Sequence, residues 1–347
     1  MRIGVIPDGI RERLILSSRR FPLPLFDVMG TMMMSRAVMA GVHFGVFDRL
    51  AAGAKTAKAL AAEAGCDEHG MRLLVDALAT CGYLEREHDG ESVRNSPLAN
   101  RWMRSDLPQT LANFARFNYD QWDWVSHLED YIQHGQAVDI HAQLDAPHWR
   151  RYMLGLRDIA SLSADEVARR IHLRAPRSLL DIGGGHCLYT ITLCQRYPQL
   201  RATVVDLEPA ARVGQELVAA AGLAARVTFH IGHVAETPFG ENHDAAFLFN
   251  VMHHLDEETN RSTVERIHRA LKPGGKFVVW EAFREERARQ QADQMGALLG
   301  LFFGVASKRE TLEFEQVAAW AREAGFRRLE RKKLQSAPFA ALLVATK

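Results

Sequence analysis

The sequence predicts an α/β protein whose second half forms a doubly wound, mostly parallel sheet and whose first half is a helical domain of winged-helix type. From residue 178 onward, runs of β-branched and apolar residues alternate with amphipathic helical segments, which is typical of strand–helix–strand units. The stretch DIGGGHCLYT (181–190) joins an apolar run ending in an acid to a periodic segment through three glycines, as in a strand, a tight turn and a helix. The first half shows no such alternation.

The sequence of the first half predicts several helices followed by a β-hairpin. Residues 25–51 are apolar on most helical faces and rich in methionine, so we expect this helix to be buried in a core or against another subunit. Thr56 is a suitable N-cap for a short helix, and a second helix is expected over 68–80. The pair Asp89-Gly90 then predicts a hairpin with a two-residue turn.

Charge argues against the DNA binding that a winged helix suggests. The second helix offers only Arg72 as a cation, whereas a helix that reads a groove needs several basic or amide side chains. The 347 residues carry a formal net charge of +1, so no long-range field favours nucleic acid or an anionic membrane. We therefore expect neither nucleic-acid nor membrane binding.

Three further observations favour a cytoplasmic protein. The N-terminus has no apolar core followed by a small-residue cleavage site, as a signal peptide would have. No apolar run is expected to reach the ~18 residues of a membrane span, because charged and histidine residues interrupt the best candidate at Asp27, Arg36, His43 and Asp48. The cysteines form no CxxC pair and show no disulfide-type spacing; they are Cys66, Cys81, Cys187 and Cys194.

We divide the chain into a winged-helix domain over 1–105, a helical connection over 106–176 and a sheet domain over 177–347. The connection is rich in aromatic residues, most of them expected in a core and some lining an apolar ligand pocket. The expected strands of the sheet domain are RSLLDIG, RATVVDLE, ARVTFHIG, DAAFLFNVM, KFVVWEAF, RRLERKKLQS and PFAALLVATK. The helix DEETNRSTVERIHRALKPGG is expected to stop at its glycine pair. DIGGG, VVDLE and NVMHHL follow strand ends, where such sheets bind ligands.

The glycine turn points to a nucleoside without a pyrophosphate. Cys187 stands where the last glycine of such a loop is usual, and there is no G-x-G-x-x-G or G-x-x-x-x-G-K pattern. A second acid, Asp206, ends the next strand and can accept hydrogen bonds from both ribose hydroxyls. We expect the small Cys187 side chain to be tolerated because the first turn of a helix needs no positive φ.

Five stretches together resemble the S-adenosylmethionine-dependent small-molecule O-methyltransferases of the caffeic acid and acetylserotonin type and their bacterial relatives. They are LLDIGGGHCLYT, VVDLEP, FNVMHHLDEE, ALKPGGKFVVWEA and, in the front half, GVFDRLAAGAKTAKALAAEAG. The resemblance implies a seven-stranded sheet, S-adenosylmethionine as cofactor with S-adenosylhomocysteine as product, and a hydroxylated small-molecule acceptor, which we expect to be apolar and aromatic. It also implies a homodimer, in which the helices of the front dimerisation domain close the partner's pocket.

The resemblance assigns roles to residues at the strand ends. Asp181 and the glycines of the turn would border the methionine end of the cofactor, Asp206 would hold the ribose, and Leu207 would lie near the adenine. His233 stands where relatives have an acid that accepts from the adenine amino group, and a neutral imidazole nitrogen can also accept. The predicted cofactor-binding residues are Asp181, Gly183, Gly185, Asp206, Leu207, His233, Val234 and Asn250.

By the same resemblance, His253 is the general base that takes the proton of the acceptor hydroxyl. His254 stands beside it and is the alternative base; otherwise it points away and caps the region of the following helix. Glu281, at a strand end, would orient the base. A second orienting acid maps to Glu310, although Arg309 competes for that register and Glu310 has an alternative as a first-turn helix acid.

Three other interpretations remain at this point. The histidine pairs HIGH and HH could suggest a metal, but no Cys or acid completes a ligand set at fixed spacing, so no metal is expected. A protein of this fold could bind S-adenosylmethionine for a non-methylating reaction. It could also be a non-catalytic, ligand-binding dimer that uses its winged helix.

Overall fold

The computed structural model describes residues 5–7, 9–18, 21–284, 294–337 and 340–347. The chain separates into two compact units, 1–119 and 120–347. The division of the chain at 105 and 176 stays a prediction.

The first unit contains short helices and a small antiparallel sheet. Its helices are α1 (Ile10–Ser17), α2 (Leu23–Leu25), α3 (Thr31–His43), α4 (Val46–Arg49), α5 (Ala57–Ala64), α6 (Glu68–Thr80) and α7 (Pro97–Trp102), and a π-helical segment, Phe26–Gly30, joins α2 to α3. The strands β1 (Lys55–Thr56), β2 (Leu84–Arg86) and β3 (Ser92–Asn95) lie in the order β1-β3-β2.

The local signals of a winged helix are present as expected, with one correction. Thr56 caps α5, its hydroxyl accepting from the N–H of Ala59 at 3.2 Å. The β2–β3 ladder ends at the pair Arg86 and Val93, so the connection is longer than the two-residue turn predicted at Asp89-Gly90. The Asp89 carboxylate accepts from two backbone N–H groups of the loop, which stabilises the longer turn.

The methionine-rich segment lies largely outside the core of its own chain. Met32, Met33 and Met34 have exposed fractions of 44%, 58% and 44%. The stretch Leu23–His43, with a mean hydropathy of 1.2 and 17% of its most apolar part buried, is long and apolar enough to cross a bilayer by length and composition alone. The expectation that no segment reaches such a length is therefore not met, and burial inside the first unit does not explain the apolar surface.

The second unit is an α/β sheet domain preceded by helices. Its strands are β4 (Ser178–Ile182), β5 (Arg201–Asp206), β6 (Val227–Ile231), β7 (His243–Phe249), β8 (Leu271–Glu281), β9 (Arg327–Lys333) and β10 (Ala341–Thr346). Its helices are α8 (Ala112–Val125, which begins in the first unit), α9 (Leu128–His134), α10 (Ile140–Gln143), α11 (Ala146–Ser161), α12 (Ala164–Arg170), α13 (Leu188–Arg196), α14 (Glu208–Ala220), α15 (Glu257–Ala270), α16 (Gln294–Ser307) and α17 (Phe314–Glu323).

The sheet has seven strands in the order β6-β5-β4-β7-β8-β10-β9, in which only β10 runs against its neighbours. Successive residues of β4 enter different cores: Leu179 packs with α12, α13 and α14, and Leu180 packs with α15 and α17. The chain order reverses beside β4, so the ends of β4, β5 and β7 border the crevice where such sheets bind ligands. The predicted fold class is confirmed.

One helix boundary differs from the prediction. Helix α15 ends at Ala270, and Leu271 already pairs with His243 of β7. The ladder is irregular until Lys276 pairs with Ala245, so the KPGG residues form a bulged strand entry and not a helix end. Pro273 disfavours the helical conformation of the residue before it, which explains the early stop.

Candidate active site

The turn after β4 has two positions that only glycine can occupy. Gly183 has φ 68°, and a Cβ there would lie 2.2 Å from a methyl of Val251. Gly185 has φ 38°, and a Cβ there would lie 2.9 Å from the sulfur of Met153 on α11. Val251 and Met153 therefore pack directly against these glycines, and a side chain at either glycine would displace its neighbour.

Asp206 ties the end of β5 to this turn. One of its oxygens accepts from the N–H of Gly185 and the other from the N–H of Leu207, each at 2.7 Å. Burial raises its pKa to about 6, although both backbone hydrogen bonds favour the charged form. A carboxylate has about four lone-pair positions, so Asp206 keeps acceptor capacity for a ligand.

Asp181, at the end of β4, links the turn to α13. Its side chain is buried, and one of its oxygens accepts from the hydroxyl of Thr190 on α13 at 2.5 Å. Burial raises its pKa to about 6, with a smaller contribution from the charge of Asp206. A Cβ at Gly184 would lie 2.9 Å from this carboxyl group, so Asp181 also fixes the path of the turn.

Helix α11 covers the turn and contributes residues that the sequence analysis missed. Besides Met153 it carries Arg157, whose Nε is buried and has no hydrogen-bond partner in the described part of the chain. Burial, and next the charge of Arg157, lowers the pKa of His186 to about 4. His186 is thus neutral, and its Nδ1 accepts from the N–H of Leu188 at the start of α13. In the sequence, only the amphipathic pattern of α11, with Arg157 among its apolar positions, could have indicated that these residues contribute to the site.

A buried histidine–carboxylate pair lies at the ends of β7 and β8. His253 Nδ1 is 2.8 Å from Glu281 Oε2, and both side chains are buried. The other oxygen of Glu281 accepts from the N–H of Met252 at 3.0 Å, which holds the carboxylate in place. Because Nδ1 donates to Glu281, the lone pair of neutral His253 lies on Nε2, on the opposite side of the ring. Phe303 of α16 stacks on the imidazole with ring centroids 4.1 Å apart.

Comparison with known proteins identifies this arrangement. Residues 120–327 match the O-methyltransferase domain, and residues 26–105 match the O-methyltransferase dimerisation domain. The chain belongs to the O-methyltransferase family. It is a methyltransferase whose methyl donor is S-adenosylmethionine. Its dimerisation domain indicates self-association. This favours methyl transfer over the non-methylating and non-catalytic alternatives.

Individual relatives support the assignment over nearly the whole chain. The acetylserotonin O-methyltransferase of Mus musculus is 30% identical over 346 residues, covering 92% of this chain and 87% of the relative. The 3-hydroxy-5-methyl-1-naphthoate 3-O-methyltransferase of Streptomyces sahachiroi is 25% identical over 311 residues, covering 88% and 89%. The structure of human N-acetylserotonin methyltransferase with S-adenosylmethionine shares the fold at 21% identity, with a TM-score of 0.81 and 99% of each chain covered.

The cysteine of the methyltransferase turn does not adopt the expected conformation. Cys187 has φ 55°, in the left-handed region, where a side chain costs about 1–2 kcal/mol. It is the residue before the first turn of α13, so the φ of a helical residue does not apply to it. Room for its sulfur comes from Gly214 of α14, where a Cβ would lie 2.9 Å from that sulfur.

The remaining predicted cofactor residues lie around the same strand ends. The turn after β6 is joined to β5 by the N–H of Gly232, which donates to the carbonyl of Asp206 at 2.9 Å. His233 is exposed, and its Nδ1 accepts from the N–H of Ala235 at 3.3 Å. Its Nε2 then carries the proton and can donate to a ligand, so in this arrangement it does not accept from an adenine amino group as expected. Val234 is buried in the core that includes α15. Asn250 is exposed, with φ 54°.

The side chain of His254 lies beside that of His253. Its ring centroid is 4.2 Å from that of His253 and 4.8 Å from that of His141 on α10. The helix cap suggested for it is instead Asp256, which accepts from the N–H of Thr259. Within the described ranges, no group of three or more His, Cys, Asp or Glu residues is arranged to hold a metal ion, and the absence of a metal stays a prediction.

The structure does not bring Glu310 to the base. Its side chain is 68% exposed and pairs with Arg284 at 2.8 Å. Arg284 also pairs with Glu313, so one cation after β8 is shared by both acids. The competing residue Arg309 lies 3.7 Å from Asp256. Of the two predicted orienting acids, only Glu281 contacts His253.

Proposed function

We propose that this enzyme methylates a hydroxyl group of an apolar aromatic small molecule, with His253 as general base and Glu281 as the carboxylate that orients it. The observation that carries this proposal is the buried contact from His253 Nδ1 to Glu281, which directs the basic Nε2 away from the carboxylate. Phe303, which stacks on His253 and also meets the ring of His254, supplies an apolar wall. Relatives named for a hydroxynaphthoate and for acetylserotonin support this class of acceptor.

The residues around the glycine turn fit S-adenosylmethionine, which supplies a methyl group on a positively charged sulfur. Asp206 has acceptor capacity left for ribose hydroxyls, and the left-handed conformations of Gly183 and Gly185 give the turn the path that brings the N–H of Gly185 to Asp206. We assign Arg157, whose Nε is buried without a hydrogen-bond partner in the described part of the chain, to the carboxylate of the methionine moiety, because a buried N–H of a cation needs an acceptor. Leu207, His233 and Val234 would border the adenine, and Asp181 and Asn250 would shape the ends of the strands. These assignments go together because the glycine turn contacts the end of β5 and Val251 after β7, and the turn after β6 is joined to β5 at Asp206.

The reaction requires one proton transfer by the protein. The hydroxyl oxygen would bond to the methyl carbon as the bond from that carbon to the sulfonium sulfur breaks and S-adenosylhomocysteine leaves. The hydroxyl proton would move to Nε2 of His253. The imidazolium that results is stabilised by the charge of Glu281, which receives the Nδ1 hydrogen bond throughout. Close packing of Phe303 against the ring keeps the imidazole in one orientation.

The test is the formation of S-adenosylhomocysteine with a panel of monohydroxy phenols and naphthols. His253→Gln should lower kcat by ~10²–10⁴, the usual contribution of a positioned base, and leave the affinity for S-adenosylhomocysteine near wild type. Glu281→Gln should fall between this variant and wild type, and His254→Gln should cost much less. His88→Gln, in the exposed hairpin loop, is the matched control. Full transfer by His253→Gln would contradict the assignment.

We also propose that the enzyme is a cytoplasmic homodimer that binds neither nucleic acid nor membrane. The apolar surface of Leu23–His43 and the match to a dimerisation domain support the dimer. Arg72 of α6 is 3.4 Å from Asp76, so even this cation is partly compensated and α6 offers little to a phosphate backbone. The cysteines among the described residues are free, in keeping with a reducing compartment.

A further inference from the structure

The imidazole of His254 carries a buried nitrogen that the proposed proton transfer does not use. Its Nδ1 is buried without a hydrogen-bond partner in the part of the chain that the structure describes. Buried polar atoms in folded proteins nearly always have a partner, which is protein, ordered water or ligand. The orphaned nitrogen therefore indicates a group that arrives from outside the protein chain.

The position of His254 identifies where that group comes from. Its ring centroid lies 4.2 Å from that of His253, so the two imidazoles are immediate neighbours. The reacting hydroxyl must approach Nε2 of His253, because Nδ1 is occupied by Glu281. An acceptor bound there brings the substituents next to its reacting hydroxyl toward the ring of His254.

The surroundings of His254 fix its orientation and its charge. The ring centroid of His141 lies 4.8 Å from that of His254. His141 in turn stacks on Trp149, and its Nε2 lies 3.4 Å from the hydroxyl of Tyr152. Burial, then the charges of His253 and His141, keep the pKa of His254 well below its ordinary value. Neutral imidazole offers one N–H donor and one acceptor nitrogen, which suits a hydroxyl better than a carboxylate.

We propose that His254 recognises a second hydroxyl of the acceptor, adjacent to the one that is methylated, so that the preferred substrate is a vicinal dihydroxy aromatic compound. This inference rests on the proposed function, because it places the reacting hydroxyl at His253. Adjacent hydroxyl oxygens on an aromatic ring are about 2.8 Å apart, a separation that neighbouring imidazoles can serve together. His254 is then a specificity-determining residue and His253 the catalytic one.

The test compares 2,3-dihydroxynaphthalene with 2-naphthol, which differ only in the second hydroxyl. His254→Phe keeps an aromatic ring but removes both nitrogens, and His254→Asn keeps a polar atom near the position of Nδ1. Wild type should prefer the diol well beyond the statistical advantage of a second hydroxyl. His254→Phe should lower kcat/KM for the diol by roughly 10- to 100-fold and leave that for 2-naphthol nearly unchanged. His254→Asn should retain most of the preference.

Calorimetric binding of both naphthols to the complex with S-adenosylhomocysteine gives a readout that does not require transfer. If wild type binds the diol more tightly and His254→Phe abolishes that preference, the inference is supported. If wild type also transfers no methyl group to either compound, only the proposed function fails. Equal losses for both compounds in His254→Phe would show that the ring serves packing only. Equal use of the two compounds by wild type, or equal binding of both where none is methylated, would overturn the inference.

Discussion

At the scale of single residues, the site depends on acids whose burial opposes their ionisation. Asp181 and Asp206 both have a pKa raised to about 6 by burial, and both lie at the turn that we assign to the cofactor. Asp206 is the one with acceptor capacity facing a ligand, because Asp181 is bonded to Thr190 behind the turn. The charge of Asp206 is thus available near neutral pH and is lost under mildly acidic conditions.

This predicts that the affinity for S-adenosylhomocysteine falls on acidification. In the proposed binding mode the ionised form of Asp206 would accept from the ribose. This form is lost as the pH falls through about 6, so affinity should drop roughly tenfold between about pH 7.5 and about pH 5. The raised pKa has the opposite sign for folding: its contribution to stability is lost as the pH rises through 6. Calorimetry at several pH values measures the affinity.

Asp206→Asn is the control for this measurement. It should bind more weakly at pH 7.5 and show little pH dependence, since the amide does not titrate. If the variant keeps the pH dependence of wild type, another group is responsible, such as Asp181, whose pKa burial also raises to about 6.

At the scale of elements, the glycine turn is held between helices that approach it closely. Helix α14 passes the turn so near that a Cβ at Gly214 would lie 2.5 Å from the carbonyl oxygen of Gly185 and 2.9 Å from the sulfur of Cys187. Glycine in the middle of a helix normally costs about 1 kcal/mol relative to alanine. Here the missing side chain of Gly214 leaves space for the sulfur of Cys187, which replaces the usual last glycine of the turn.

Gly214→Ala should therefore destabilise the protein, although the same change in most helices stabilises. Overpacking against Gly185 and Cys187 is expected to lower the free energy of unfolding by about 1–3 kcal/mol. It should also weaken S-adenosylhomocysteine binding about tenfold or more, because the N–H of Gly185 is bonded to Asp206. Denaturant unfolding and calorimetry measure the two effects.

Gly70→Ala provides the matched control on α6. A Cβ there would meet only ordinary contacts with the side chain of Asp67, at 3.5 Å, and the change should raise stability by up to about 1 kcal/mol. If Gly214→Ala stabilises to a similar degree, α14 does not constrain the turn as we describe.

At the scale of the whole molecule, the apolar surface of Leu23–His43 needs a partner. Val28, Met29 and Met33 have exposed fractions of 72%, 56% and 58% in the isolated chain. A continuous apolar patch of this kind on a protein surface usually marks an interface. The match of residues 26–105 to a dimerisation domain makes a second copy of the chain the expected partner.

We predict that Met33→Glu weakens the dimer strongly. A charge buried in an apolar interface without a partner should raise the dimer dissociation constant by at least about 100-fold, as measured by sedimentation equilibrium. Lys58→Glu, on the exposed face of α5, is the control and should leave the dimer intact. A wild-type monomer at micromolar concentration that sediments with lipid vesicles would assign this surface to a membrane instead.

The sequence by itself determined the elements and the residues at their ends. The strand–helix alternation, the glycine turn, Asp206, and the pair His253 and Glu281 all follow from local patterns and the family resemblance. They are close in space because parallel neighbouring strands end at one edge of the sheet, so residues distant in sequence meet there without any knowledge of side-chain packing. This is why the contact of His253 with Glu281 could be predicted.

Only the tertiary structure decided the positions of side chains that lie on helices and loops, because these segments have no fixed register to the sheet. Glu310 follows a helix, not a strand, and its exposed side chain pairs with Arg284. Arg157 reaches the cofactor turn only because α11 packs across it, which no local pattern specifies. The positive φ of Cys187 is tolerated because Gly214, on another helix, leaves space for the sulfur. Each outcome results from packing between elements far apart in the chain, and such packing is set by the complete core and not by local sequence.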